Sequence, residues 1–91
     1  MVSKGQKKGT YKFSITPGNG AKDVAIAGDF TGWKPTPMKK QKDGSFAATL
    51  PLTAGAYEYK LVIDGQWLVD PDNSRWALNP FGTLNSVIQA E

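Results

Sequence analysis

The chemical repertoire of this chain is narrow. It has eight carboxylates, eleven lysines and arginines and three tryptophans, but no histidine and no cysteine. Without histidine it lacks the usual general base near neutral pH and the commonest nitrogen ligand for a metal. Without cysteine there is neither a disulfide framework nor a thiolate metal site. A glycosidase would need two facing carboxyl groups at a defined separation across a cleft. Here Asp23, Asp29, Asp43, Asp64, Asp70 and Asp72 fall at turns or strand ends, and Glu58, in mid-strand, has no evident partner. The expectation is a protein with no catalytic activity, no metal and no cofactor.

One aromatic stands out by position. Tyr57, Tyr59, Leu61 and Ile63 alternate with Glu58, Lys60 and Val62, the period-2 pattern of a half-buried strand. Asp64-Gly65 supplies a two-residue type I′ turn, and Gln66 to Val69 returns as the second strand. A two-residue loop sets Ile63 opposite Gln66, Val62 opposite Trp67 and Leu61 opposite Leu68, and directly opposed residues share a face. Leu61 and Leu68 therefore point inward together. Trp67 comes to the other face, beside Val62 and with Lys60 and Glu58. A large flat side chain on the charged side of a hairpin is suited to stacking on a ligand.

The rest of the chain must position that hairpin. Thr10 to Thr16 alternates, and Pro17-Gly18-Asn19-Gly20 ends it. Asp23 to Phe30 follows, with Ala25, Ala27 and Gly28 small enough to let another segment approach closely. Thr31 to Pro37 reads as a loop carrying Trp33, and Met38 to Gln41 as a brief pairing before the Asp43-Gly44 turn. Ser45 to Leu50 alternates again. Asp70 to Gly82 reads as a long loop in which Trp76 anchors one end of the molecule, and Leu84 to Ala90 closes the chain as its last strand. About seven short strands without helical period predict an all-β fold, an antiparallel β-sandwich.

Ninety-one residues make one domain with a single modest core. The net charge of +3 is uneven: Lys4, Lys7, Lys8 and Lys12 precede any acid, and from Phe13 onward seven cations face eight carboxylates. Residues 1–9 are therefore expected to be a flexible basic leader and 10–91 the folded module. A body without a basic stripe argues against a nucleic-acid partner. No apolar run reaches the length of a membrane span, and the leader lacks the apolar middle of a signal peptide. A cytoplasmic monomer is expected.

Five pieces, in order, carry a resemblance: Gly28-Asp29-Phe30-Thr31-Gly32-Trp33, Tyr57-Glu58-Tyr59-Lys60, Asp64-Gly65-Gln66-Trp67, Asp70-Pro71, and Phe81-Gly82-Thr83-Leu84-Asn85-Ser86. Together they resemble the signature of the family 48 carbohydrate-binding modules, which include the glycogen-binding domain of the AMP-activated protein kinase β subunit. The resemblance covers roughly residues 10 to 90. It implies an early-set immunoglobulin-like sandwich, not an enzyme, that binds α-1,4-linked glucans. It also implies attachment to, or association with, a glucan-active enzyme or a kinase.

By the same resemblance Trp33 and Trp67 are the stacking pair. A pyranose presents an apolar C–H face and a rim of hydroxyls, so flat aromatics must be joined by hydrogen-bonding groups. Lys60 and Thr83 can donate to that rim, and Asn85 can both donate and accept. Phe81 stands where the kinase module has a leucine that projects into the curl of the glucan, so a phenyl ring there either stacks on a third glucose or partly obstructs a tightly curved chain. Each residue also has a structural reading. A tryptophan is usually core, Lys60 a strand lysine laid on Trp67, and Thr83 and Asn85 strand-entry residues that satisfy loop backbone. The alternative function is a structural or protein-interaction sandwich using the same aromatics as a docking patch.

Overall fold

The computed structural model describes residues 2–17, 21–71 and 73–90; the expected turn at 18–20 and Asp72 lie outside them. Two antiparallel sheets form a β-sandwich. The four-stranded sheet runs, edge to edge, β1 (Val2–Lys4), β2 (Thr10–Ile15), β6 (Phe46–Pro51), β5 (Lys39–Lys40). The other runs β4 (Thr36–Pro37), β3 (Val24–Gly28), β7 (Gly55–Ile63), β10 (Leu84–Ala90), β9 (Trp76–Leu78), and β8 (Gln66–Leu68) also pairs with β7. The core lies between them, built on the alternating residues Phe13 and Ile15, Val24 and Ile26, Tyr59 and Leu61, and Ile88 and Ala90.

The hairpin has the expected register, with Leu61 paired to Leu68, Val62 to Trp67 and Ile63 to Gln66. Asp64 and Gly65 both take positive φ, 48° and 84°, as a type I′ turn requires. Asp64 adds a tether, its Oδ1 accepting the backbone N–H of Lys22 at 3.0 Å and of Asp23 at 2.9 Å. Leu68 departs from expectation. It shares the inward parity of Leu61, yet it is exposed, because β8 continues the sheet past the end of β10, outside the packed core.

Three strands exceed the expected seven, and all are short. β4 is a Thr-Pro pair at a sheet edge, where a missing N–H does no harm. β9 lies inside the expected loop and pairs with β10, Trp76 opposite Ser86. Trp76 is therefore not a loop anchor under the sandwich: it is 55% exposed on an edge strand. β1 lies within the expected flexible leader. Val2 pairs with Phe13 and packs on the core, and Gly5 N–H donates to the Thr10 carbonyl at 2.8 Å to close the turn that folds it back.

A buried polar knot fixes the inner end of the hairpin. The Tyr59 hydroxyl, wholly buried, donates to Asp70 Oδ2 at 2.7 Å and accepts from Asn73 Nδ2 at 3.1 Å. Asp70 N–H donates to Ser86 Oγ at 2.7 Å. Asp70 is thus more than a turn initiator, since it ties β7, β10 and the returning chain together. Buried groups paired in this way avoid the desolvation cost of an orphaned donor or acceptor.

Candidate functional site

Strand parity sends Glu58, Lys60 and Val62 of β7 to the outer face of the larger sheet, with Trp67 of β8 and Asn85 of β10. Two loops complete that face. The first is a 3-10 turn, Asp29–Thr31, followed by Gly32 and Trp33, both at positive φ, 64° and 62°. The second runs from Asn79 to Thr83. Between them lies an open cavity of about 440 Å³, lined by all six residues named from the sequence: Trp33, Lys60, Trp67, Phe81, Thr83 and Asn85.

The Trp33 loop is held at several points. Gly28 lies so close to β7 that a Cβ there would sit 2.7 Å from both the Glu58 carbonyl oxygen and Tyr59 Cβ. Here the expected close approach is realised, and no side chain fits. Phe30 is anchored in the core against Phe13, centroids 5.3 Å apart, and Tyr57, 5.9 Å apart. Trp33 N–H donates to the Gly28 carbonyl at 3.0 Å, which stabilises a left-handed conformation that is uncommon for a bulky residue. Asp29 does the rest. Its Oδ1 accepts the Trp33 indole N–H at 3.0 Å and its Oδ2 accepts Glu58 N–H at 2.9 Å, so one carboxylate orients the ring and ties the loop to β7.

Asn79 organises the second loop. Its Oδ1 accepts the N–H groups of Phe81 (3.0 Å) and Thr83 (3.1 Å), and its Nδ2 donates to Thr83 Oγ1 (2.6 Å) and Asn85 Oδ1 (3.1 Å). Lys60 Nζ also donates to Thr83 Oγ1, at 3.0 Å. With both acceptor positions of that hydroxyl filled, its own proton points away from Lys60 and Asn79. Phe81, at the loop tip, is 89% exposed. Asn85 is the exception among the six, being buried and engaged at both amide atoms, with Nδ2 donating to Glu58 Oε1 at 3.0 Å.

Five lining residues were missed from the sequence: the polar Asp29, Glu58 and Asn79, and the apolar Leu78 and Pro80. Glu58 accepts from the Asn85 amide, and it lines the same cavity as Asp29, a shared lining that strand pattern alone does not give. Parity alone could have found Glu58, two residues before Lys60. Asp29 sits four residues before Trp33 and Asn79 four before Thr83, spacings that become informative only once both loops are closed. Both carboxylates are taken up in holding the face together. Lys60 is half-buried, and its ammonium is held by the Thr83 hydroxyl.

The arrangement offers flat apolar surface from Trp33, Trp67 and Phe81, with donors from Lys60 and Thr83 beside it. Comparison with known proteins agrees in kind. Residues 10–91 match the family described as the glycogen recognition site of AMP-activated protein kinase. The β-1 subunit of that kinase from Sus scrofa is 35% identical over 72 residues, 79% of this chain and 57% of the subunit. The chloroplastic protein PTST homolog 2 of Arabidopsis thaliana is 46% identical over 59 residues, 64% of this chain and 11% of that protein. A maltogenic amylase from S. marinus superimposes with a TM-score of 0.75 at 24% identity, over 90% of this chain and 13% of the amylase, a likeness of fold. The chain thus spans between about a tenth and somewhat over half of these relatives. It belongs to the family of the AMP-activated protein kinase glycogen recognition site.

Proposed function

We propose that this chain is a non-catalytic module that binds α-1,4-linked glucans, such as glycogen, starch and maltooligosaccharides, through the cavity between its two loops. One observation carries the reading: Trp33 and Trp67 line the same open cavity as Lys60 and Thr83, although they come from different elements. Stacking needs the rings and a hydroxyl rim needs the donors, and neither set alone would suit a sugar. Trp33 and Trp67 meet the C–H faces of successive glucoses, and Phe81 meets a further one. Lys60 and Thr83 donate to ring hydroxyls. Asn85 contributes less by contact than by fixing Glu58 and Asn79 in place.

A partner enzyme or kinase, fused or associated, belongs to the same proposal, because the relatives carry this module within longer chains. Affinity for a short oligosaccharide is expected at roughly millimolar to micromolar, about −4 to −8 kcal/mol, since the cavity is open and most hydroxyls keep their water. Titration of tryptophan fluorescence with maltoheptaose, with cellohexaose as linkage control, tests it. A saturable change with the α-linked sugar alone supports the proposal. No change with either sugar, confirmed by calorimetry, leaves the fold standing and overturns the function.

A further inference from the structure

The opposite side of the sandwich is basic, by an arrangement that the sequence conceals. Lys12 shares the outer face of the smaller sheet with Ser3 and Thr49, its register partners. The turn that folds β1 back is fixed by Thr10, whose N–H and hydroxyl both donate to the Lys7 carbonyl, at 3.1 and 2.6 Å. It brings Lys7 into one lining with Lys12, while Lys39 arrives on β5 from the other edge; Lys4 joins at the rim, since its register partner is the inward Tyr11. Lysines far apart in sequence thereby line one groove of about 830 Å³, with no carboxylate among its described lining residues. Asp43 feels Lys12 only weakly. Its carboxyl is held below the usual carboxylate range chiefly by the Ser45 hydroxyl and N–H.

We propose that this groove is a second binding surface, which takes an extended acidic segment of a partner protein while the tryptophan face remains free for its own ligand. Its chemistry favours a polypeptide over a nucleic acid. No aromatic side chain is among its described lining residues, so unpaired bases would find nothing there to stack on. Its cations are all lysines, compact point charges that suit single carboxylates, without the arginine fork that grips phosphate in two places. Ala47, opposite Ser14 and Lys39, keeps part of the lining low enough for a backbone to lie close, and Gln6, Gln41 and Thr49 offer hydrogen bonds to its amides. The two linings share no residue, the groove reaching the larger sheet only at its β4 edge through Thr36 and Pro37, so occupation of one leaves the other open.

Fluorescence anisotropy of a labelled oligoglutamate peptide with the full chain at low salt tests this, with oligothymidylate as competitor. Saturable peptide binding is expected, weakened about tenfold or more by Lys12→Glu with Lys39→Glu and by added salt. Both lysines are exposed, so an unchanged melting temperature should accompany the loss. Lys7→Gln with Lys39→Gln should show a smaller loss, and Trp67→Ala none. Absence of peptide binding, or equal binding by the lysine variants, overturns the proposal. Tighter binding of oligothymidylate than of oligoglutamate overturns it in favour of a nucleic-acid surface.

Discussion

At the scale of single residues, Thr83 is more informative than its size suggests. Its hydroxyl accepts from Lys60 and from Asn79, so the outward proton is the only hydrogen bond it has left to give. Thr83→Val keeps the shape, removes that donor and strips two polar neighbours of their acceptor. We expect maltoheptaose affinity to fall roughly five- to tenfold, about 1 kcal/mol, with a comparable loss of stability. Parallel titrations and melts check both, and an unchanged affinity would remove Thr83 from the ligand contacts. Asp29→Ala should act differently, since it frees the Trp33 indole and the Glu58 N–H together. Its expected signature is weaker sugar binding with a changed environment for the Trp33 indole N–H resonance in NMR. An unaltered resonance would mean that Asp29 does not hold the ring.

At the scale of elements, the Trp33 loop depends on how closely β3 lies against β7. Gly28→Ala would put a methyl group 2.7 Å from backbone and side-chain atoms of β7, contacts that only a shift of β3 can relieve. Overpacking of this kind costs roughly 1 to 3 kcal/mol. In a domain of this size each kcal/mol lowers the melting temperature by about 4 to 8 °C. Because Asp29 follows directly, sugar binding should weaken as well. A variant that melts as the parent does would show that β3 can move freely there.

The elements also show what could be read in advance. Asp64-Gly65 between alternating strands fixes a hairpin and its register by local rules alone, and so places Trp67 outward. β1 and β9 obey no local rule. Each has three residues, too few for a period, and each is made a strand by the neighbour it joins. The same limit applies to the site. Trp33, Phe81, Thr83 and Asn85 could be named only through a family likeness, since topology, not spacing, brings them to Lys60 and Trp67. The carboxylates and amide that tie the face together give no signal until the loops close around them.

At the scale of the whole molecule, β7 divides the work between its two faces. Its odd-numbered residues build the core, with Tyr59 wholly buried and bonded to Asp70, while Glu58 and Lys60 line the cavity. A strand used on both faces couples stability to binding only if a change on one side moves the backbone. Tyr59→Phe tests that coupling, because it removes one buried hydroxyl and no carbon. Asp70 and Asn73 lose a partner, which costs roughly 1 to 3 kcal/mol and lowers the melting temperature by about 4 °C or more. Affinity for maltoheptaose, measured well below that temperature, should not change. Trp67→Ala should give the converse result. The ring is 46% exposed on the outer face, so melting should stay nearly constant, while affinity falls roughly thirtyfold or more, about 2 kcal/mol for a central aromatic anchor. If both variants lost stability and binding together, the two faces would not be independent, and the outer face could not be treated as a site carried by a rigid core.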